Sequence, residues 1–138
     1  MYWPNSQIGS VVHSAVRVVI GFLIGCHGAK SFFGSDPAGF GSWPDWYAGV
    51  LELGGGLLLM AGLFTRVAAF VLSGVMAFAY FTVHLPHGPL PIANGGEQAA
   101  TNSWVFLLFV VIGAGKYSLD QVIAARRGSR PAAAPANA

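Results

Sequence analysis

The residue with the clearest chemical consequence is Arg17, because it lies inside the apolar run VVHSAVRVVIGFLIGCHGAK at 11–30. A charge at the centre of a membrane helix costs about 2.5 to 3.5 kcal/mol on insertion scales, so such residues face a bundle interior and mark sites of binding or proton transfer. His13 and His27 share the helical face of Arg17, since the intervals between them follow a period of 3.6 residues. The first helix therefore presents one cation and two imidazoles along a single stripe.

The composition predicts an integral membrane protein of one domain. The chain has 138 residues, of which 54% are hydrophobic and 9% are charged, and its mean hydropathy is +0.60, whereas about a quarter of the residues in soluble domains are charged. The net charge of +2 arises largely from Arg126, Arg127 and Arg130 near the C-terminus, which we interpret as a topology signal and not as a nucleic-acid site. The single cysteine, Cys26, excludes an intramolecular disulfide.

Four predicted helices of roughly span length follow one another, at about 8–33, 44–64, 67–84 and 98–115. The segments between them are rich in glycine and proline at 34–42 and 85–97, and Thr65 with Arg66 leaves only a tight turn between the second and third helices. The predicted fold is an all-α integral membrane four-helix bundle, antiparallel and up-down-up-down, over residues 1–120. Residues 121–138 are predicted to form a basic, then Ala/Pro-rich, disordered cytoplasmic tail.

The distribution of basic residues predicts that both termini are cytoplasmic. Four spans place the two termini on one side, and lysine and arginine are enriched on the cytoplasmic side of membrane proteins. The terminal side holds five such residues and the opposite side holds only Lys30; the five are Arg66, Lys116, Arg126, Arg127 and Arg130.

Glu52, in the second helix, has two possible environments. At about 1.5 Å per residue, Arg17 lies about 13 Å above the cytoplasmic end of its helix and Glu52 about 12 Å below the outer end, so an ion pair is within reach. The two side chains lean apart, however, because helical side chains point toward their own N-terminus. We favour an outer polar cluster for Glu52, with Arg17 using backbone carbonyls of the third or fourth helix, water or an anionic ligand; the other cluster members are His27, Lys30, Tyr80, His84 and Glu97.

Three other interpretations have weaker signals. LIGC at 23–26 resembles a lipobox, which would make the first helix a cleaved signal. His84 and His87, followed by Glu97, resemble metal ligands, but the intervening prolines disrupt their spacing and no second tight pair completes a tetrahedral site, so no metal site is predicted. Facing histidines such as His27 and His84 would also suit haem.

Several blocks together resemble the DoxX family of small four-helix membrane proteins. They are Arg17 with GFLIGCHGAK, ELGGGLLLMAGLFTR at 52–66, His84 followed by NGGE at 94–97, and GAGKYSLD at 113–120. The resemblance covers nearly the whole chain up to Asp120 and implies a multi-pass protein of the bacterial cytoplasmic membrane. Relatives are connected with a thiosulfate:quinone oxidoreductase, as a membrane subunit, and with a membrane complex that pairs superoxide detoxification with thiol handling.

The resemblance and the polar residues together favour a membrane subunit of a quinone- or thiol/sulfur-linked oxidoreductase. Its expected partners are the lipid bilayer, a quinone or small sulfur species and protein subunits, with no nucleic acid. Quinone reduction needs proton donors around an apolar slot, which assigns catalytic roles to Glu52, His84 and Glu97. The expected cofactor-binding residues are Arg17, His27, Lys30, Tyr80 and Trp104. The alternatives are a non-enzymatic scaffold or assembly partner, and a small-solute transporter.

Overall fold

The structure, a computed structural model, describes residues 6–128, and every regular element in that range is helical. The third long helix continues beyond residue 79 as a π-helical turn, Tyr80–His84, and then as a 3₁₀ turn, Leu85–His87. The helices are α1 (Gln7–Phe33), α2 (Asp45–Ala61), α3 (Thr65–Ala79), α4 (Pro91–Asn94), α5 (Glu97–Ile112) and α6 (Leu119–Gly128).

Two of these segments are long and apolar enough to cross a membrane, namely α1 with 27 residues and the continuous stretch Thr65–His87 with 23. The helix α5 is equally apolar in character but shorter, with 16 residues, and α2 has 17. Two of the four predicted spans therefore meet the length of a membrane-crossing helix in the described residues.

The turn between α2 and α3 lies earlier in the chain than the sequence predicted, at residues 62–64 and not at 65–66. α2 ends at Ala61 and not at 64, because Gly62 adopts a left-handed conformation (φ 67°) and its N–H bonds back to the Leu59 carbonyl at 3.0 Å. This is the usual way for a glycine to terminate a helix. α3 then begins at Thr65 and not at 67, after Phe64, which is itself left-handed (φ 47°).

α1 and α2 pack closely and run antiparallel, because glycines line their contact. Gly21 lies against Gly56, and Gly28, closer to the end of α1, lies against Gly49 near the start of α2. A Cβ atom on Gly28 would lie 2.4 Å from the backbone nitrogen of Leu53, which no side chain tolerates. Glycine is therefore required there for the two backbones to approach, as expected for helices packed in lipid.

The remaining helices extend this packing in order, with α3 against α2 and α5 against α3. Ser73 of α3 donates to the Ser103 carbonyl at 2.8 Å, and the Ser103 hydroxyl donates back to the Ser73 carbonyl at 3.2 Å, which fixes the register of α3 on α5. The buried core that joins the helices consists of Ile24, Leu59, Ala69, Leu72, Met76, Phe106 and Phe109.

Residues 121–128, which were predicted to belong to a disordered tail, lie in the helix α6. Its first turn is held in place by hydrogen bonds: the Asp120 N–H donates to the Gly62 carbonyl at 2.9 Å, and the Asp120 carboxylate accepts from the α2–α3 turn. The predicted aromatic leader at 1–5 and the rest of the tail at 129–138 lie outside the described residues.

Candidate functional site

Arg17 is buried in the protein interior, with 2% of its surface exposed. One guanidinium nitrogen donates to the carbonyls of Leu59 and of Met60, the latter at 2.9 Å, and the other donates to the Tyr117 carbonyl at 2.7 Å. The last carbonyls of a helix have no partner within the helix and carry the negative end of its dipole. Arg17 therefore caps the C-terminus of α2 and ties it to the segment that follows α5.

Arg17 was expected either to pair with Glu52 or to use backbone carbonyls, water or an anionic ligand. The guanidinium does use backbone carbonyls, but they belong to α2 and to the 113–118 segment and not to the third or fourth helix. The polar group that pairs with Glu52 is His27.

The His27–Glu52 pair lies between α1 and α2, toward the end of the fold that is opposite the N-terminus of α1. Nδ1 of His27 is 2.8 Å from Oε2 of Glu52. The two side chains differ sharply in burial, since 58% of the His27 side chain is exposed but only 5% of the Glu52 side chain. A carboxylate removed from water is costly unless it has a hydrogen-bond donor or a counter-charge, and His27 provides that donor.

The ionisation state of Glu52 sets the roles of the imidazole nitrogens. When Glu52 is ionised, its carboxylate only accepts hydrogen bonds, and Nδ1 of His27 carries the hydrogen that the two share. In the neutral ring, Nε2 then has a lone pair and accepts a proton. His27 can therefore take up a proton at Nε2 on its exposed side and release one from Nδ1 to the buried carboxylate.

Tyr80 and His84 meet the loop that connects α3 to α5. The Tyr80 hydroxyl donates to the Pro89 carbonyl at 3.2 Å, and Nδ1 of His84 is 3.3 Å from the Asn94 carbonyl. Both side chains also press on Gly96, where a Cβ atom would lie 2.8 Å from each. Because a carbonyl accepts only, Nδ1 of His84 carries the hydrogen, and its Nε2 is again the basic nitrogen of the neutral ring.

The other predicted site residues lie on the surface of the chain. Lys30 is exposed in the last turn of α1, and Glu97 is exposed in the first turn of α5. Trp104 is 72% exposed along α5. The structure thus brings His27 to Glu52 and Tyr80 with His84 to one loop, while the catalytic and cofactor-binding roles assigned to all eight residues stay predictions.

A crevice lies at the other end of the fold, between α1, the start of α3, the end of α5 and α6. It has a volume of about 990 Å³. His13 lines it, with its ring stacked on Phe109 at 5.7 Å between ring centres. Charged and hydroxyl groups join His13 at this wall, namely Arg66, Lys116, Asp120 and Thr65. The sequence predicted a topology role for Arg66 and Lys116 but no binding role for this group of residues.

The sequence did not predict the crevice, because several of its polar residues lie in segments that were interpreted as connections between helices. Thr65 and Arg66 appeared as a tight connection, and Asp120 as the exit from the last span. No local signal placed Asp120 at the start of α3, because that start lies 55 positions earlier in the chain. Among residues 6–128, no three histidine, cysteine, aspartate or glutamate side chains gather closely enough to hold a metal ion.

Comparison with known proteins is consistent with this architecture. The DoxX family model matches residues 12–85, which contain α1, α2 and the helix that begins with α3. An uncharacterized protein of Haemophilus influenzae is 46% identical over 114 residues, covering 76% of this chain and 85% of the relative. No solved structure matches significantly. The resemblance seen in the sequence is confirmed: the chain belongs to the DoxX family of membrane proteins.

Proposed function

We propose that the chain is a four-span protein of the bacterial cytoplasmic membrane and the membrane subunit of a quinone-linked oxidoreductase. The spans are α1, α2, the helix at 65–87 and α5, and both termini are cytoplasmic. The antiparallel contacts of successive helices support this topology. So does the position of the basic residues, because Arg66, Lys116, Arg126 and Arg127 all lie at or beyond the helix ends on the terminal side.

The observation that carries the redox proposal is the hydrogen bond between an exposed imidazole and a buried carboxylate. Reduction of a quinone to a quinol consumes two electrons and two protons, and the protons must reach carbonyl oxygens that lie in an apolar environment. Groups that shuttle such protons need to be within hydrogen-bond reach of each other. His27 and Glu52 meet this requirement at 2.8 Å, with one end of the pair accessible and the other enclosed.

In the proposed reaction the electrons come from a partner subunit that oxidises a thiol or small sulfur compound. The quinone accepts two electrons from that subunit and two protons through this chain, and leaves as the quinol. His27 takes up each proton and Glu52 passes it inward. A quinone carbonyl only accepts, so His84 orients the ring when its Nε2 is protonated, and Tyr80 does so when its hydroxyl turns from the Pro89 carbonyl to the quinone. Glu97 is a second proton source, and Lys30 and Trp104 border the entrance.

Arg17 receives a different role in this proposal from the one that the sequence suggested. Its guanidinium already donates to three carbonyls, so it positions α1 and α2 and thereby the His27–Glu52 pair. It does not contact the quinone.

The test is quinol formation in membranes of cells that produce the chain together with its native partner proteins. Ubiquinone-1 serves as the acceptor and thiosulfate or a small thiol as the donor. Glu52→Gln keeps the shape of the side chain but cannot carry a proton, and we expect its rate to fall about 100-fold at an unchanged protein level. Asp45→Asn, an exposed acid at the start of α2, is the matched control and retains the full rate.

An unchanged rate for Glu52→Gln rejects the redox role. If the rate is unchanged but removal of the whole chain lowers the amount of the partner subunit, the chain is a scaffold for that subunit. Native mass spectrometry of gently purified protein gives an independent reading, because the redox proposal predicts a retained quinone and the scaffold predicts a retained protein.

A further inference from the structure

The crevice between α1, α3, α5 and α6 combines an apolar wall with polar groups that lack partners. Thr65 is fully buried (0% exposed), and its hydroxyl has no hydrogen-bond partner among residues 6–128. Nε2 of His13 is likewise buried without a partner in that range. Buried polar groups in folded proteins are nearly always satisfied, so each exception requires a reason. Both residues line the same crevice.

The charges at the crevice favour an anion. Both carboxylate oxygens of Asp120 are engaged by the start of α3, where they accept from the N–H groups of Phe64 and Thr65 at 2.8 and 3.0 Å. The cations Arg66 and Lys116 line the same crevice and are exposed. The crevice thus presents two cations and one carboxylate, and the negative charge of that carboxylate is already compensated by the start of α3.

The rest of the crevice wall is suited to hydrocarbon. The helices α1 and α5 each pack mainly on another partner, α1 on α2 and α5 on α3, so the crevice runs between the two pairs. His13 of α1 stacks on Phe109 of α5 at its wall. The apolar side chains that also line it are those of Val12, Val16, Val105, Leu108 and Ile112.

We propose that this crevice is a binding site for one acidic glycerophospholipid. The phosphate lies between Arg66 and Lys116, accepts a hydrogen bond from the Thr65 hydroxyl, and one acyl chain runs along the apolar wall between α1 and α5. His13 donates from Nε2 to an ester carbonyl, since an ester oxygen accepts and the ring then carries its hydrogen on that nitrogen. The proposal rests on the membrane location of the chain and is independent of the redox role.

The position of the basic groups fits this ligand. Arg66 is the second residue of α3, and Lys116 follows the end of α5. Both residues therefore lie at the level of lipid headgroups when the helices span the bilayer. Basic residues at this level attract anionic lipids, with an affinity gain of about fivefold for each lysine or arginine.

The experiment is native mass spectrometry of the purified full chain, delipidated in detergent and titrated with phosphatidylglycerol, phosphatidylcholine, the matching free fatty acid and ubiquinone-10. We expect one phosphatidylglycerol per chain, bound at least tenfold more tightly than phosphatidylcholine. Arg66→Gln and Lys116→Gln each weaken phosphatidylglycerol binding about fivefold. Thr65→Val also weakens it, while Arg126→Gln in α6, outside the crevice, leaves it unchanged.

Any one of four results would overturn the assignment. Equal affinity for the two phospholipids, or equal loss on Arg126→Gln and Arg66→Gln, would mean general surface attraction. Binding of the free fatty acid as tight as that of phosphatidylglycerol would assign the site to a free acid. Preferential binding of ubiquinone-10 that depends on Thr65 would assign it to a quinone. Because Thr65→Val is close in shape, its fold is checked by thermal unfolding. Quinol formation is also measured for these variants, so that a failure of this site can be told apart from a failure of the redox proposal. Conversely, Glu52→Gln is expected to leave lipid binding intact.

Discussion

Replacement of Arg17 by methionine should lower the free energy of unfolding by about 3 kcal/mol. The guanidinium donates to three carbonyls, of which that of Leu59 is buried and those of Met60 and Tyr117 are partly buried. The Leu59 carbonyl keeps the N–H of Gly62 as a second donor, so the main loss falls on the carbonyls of Met60 and Tyr117. A hydrogen bond from a charged donor contributes about 1.5 to 3 kcal/mol, or about 4 kcal/mol for two. Relief from burying a charge offsets part of this loss.

The assay is reversible unfolding in mixed detergent micelles, followed by circular dichroism. Arg17→Lys should recover less than half of the loss, because an ammonium group is a compact charge that cannot reach carbonyls on both sides as a planar guanidinium does. Arg126→Met, in exposed α6, is the control and should change stability by less than about 0.5 kcal/mol. A loss below about 1 kcal/mol for Arg17→Met, or full stability of Arg17→Lys, would refute the capping role.

Two further substitutions test the contacts that position the sites. Gly28→Ala should destabilise the protein by about 2 kcal/mol, because its Cβ would lie 2.4 Å from the nitrogen of Leu53. The control Gly54→Ala, with open space around it, should be neutral or slightly stabilising in the same unfolding assay. Equal effects of the two substitutions would contradict the close approach of α1 and α2. Asp120→Asn offers one acceptor oxygen in place of two, so it should cost about 1 kcal/mol and speed amide hydrogen exchange at the start of α3; unchanged exchange there would show that the carboxylate does not cap α3.

The sequence predicted well those features that follow from burying apolar or charged side chains, because such residues recur with a helical period or form an apolar run. The apolar run around Arg17 predicted a helix at about 8–33, and α1 occupies Gln7–Phe33. The need to shelter a charge in lipid predicted that Arg17 faces inward, and it is 2% exposed. The outer cluster proposed for Glu52 included His27, which is its observed hydrogen-bond partner.

The partners of Arg17 were less predictable, for a physical reason. They are backbone carbonyls, and every residue type supplies one, so nothing in the identity of Met60 or Tyr117 marks it as an acceptor. A depth estimate from helical rise also has an error of several ångströms, which is as large as the offset between Arg17 and Glu52 that it was used to judge. The crevice was hidden for a related reason, since Thr65 and Asp120 are 55 positions apart in the chain.

The hydrogen bond from Arg17 to the Tyr117 carbonyl spans 100 positions in the sequence, and this separation matters during synthesis. The first helix leaves the ribosome with its guanidinium unneutralised, and two of its acceptors appear only when α2 is complete. The third appears only after α5 has been made. A nascent chain that stops before residue 117 therefore leaves one guanidinium nitrogen of Arg17 without its acceptor, which gives membrane quality control a direct way to distinguish unfinished chains from finished ones.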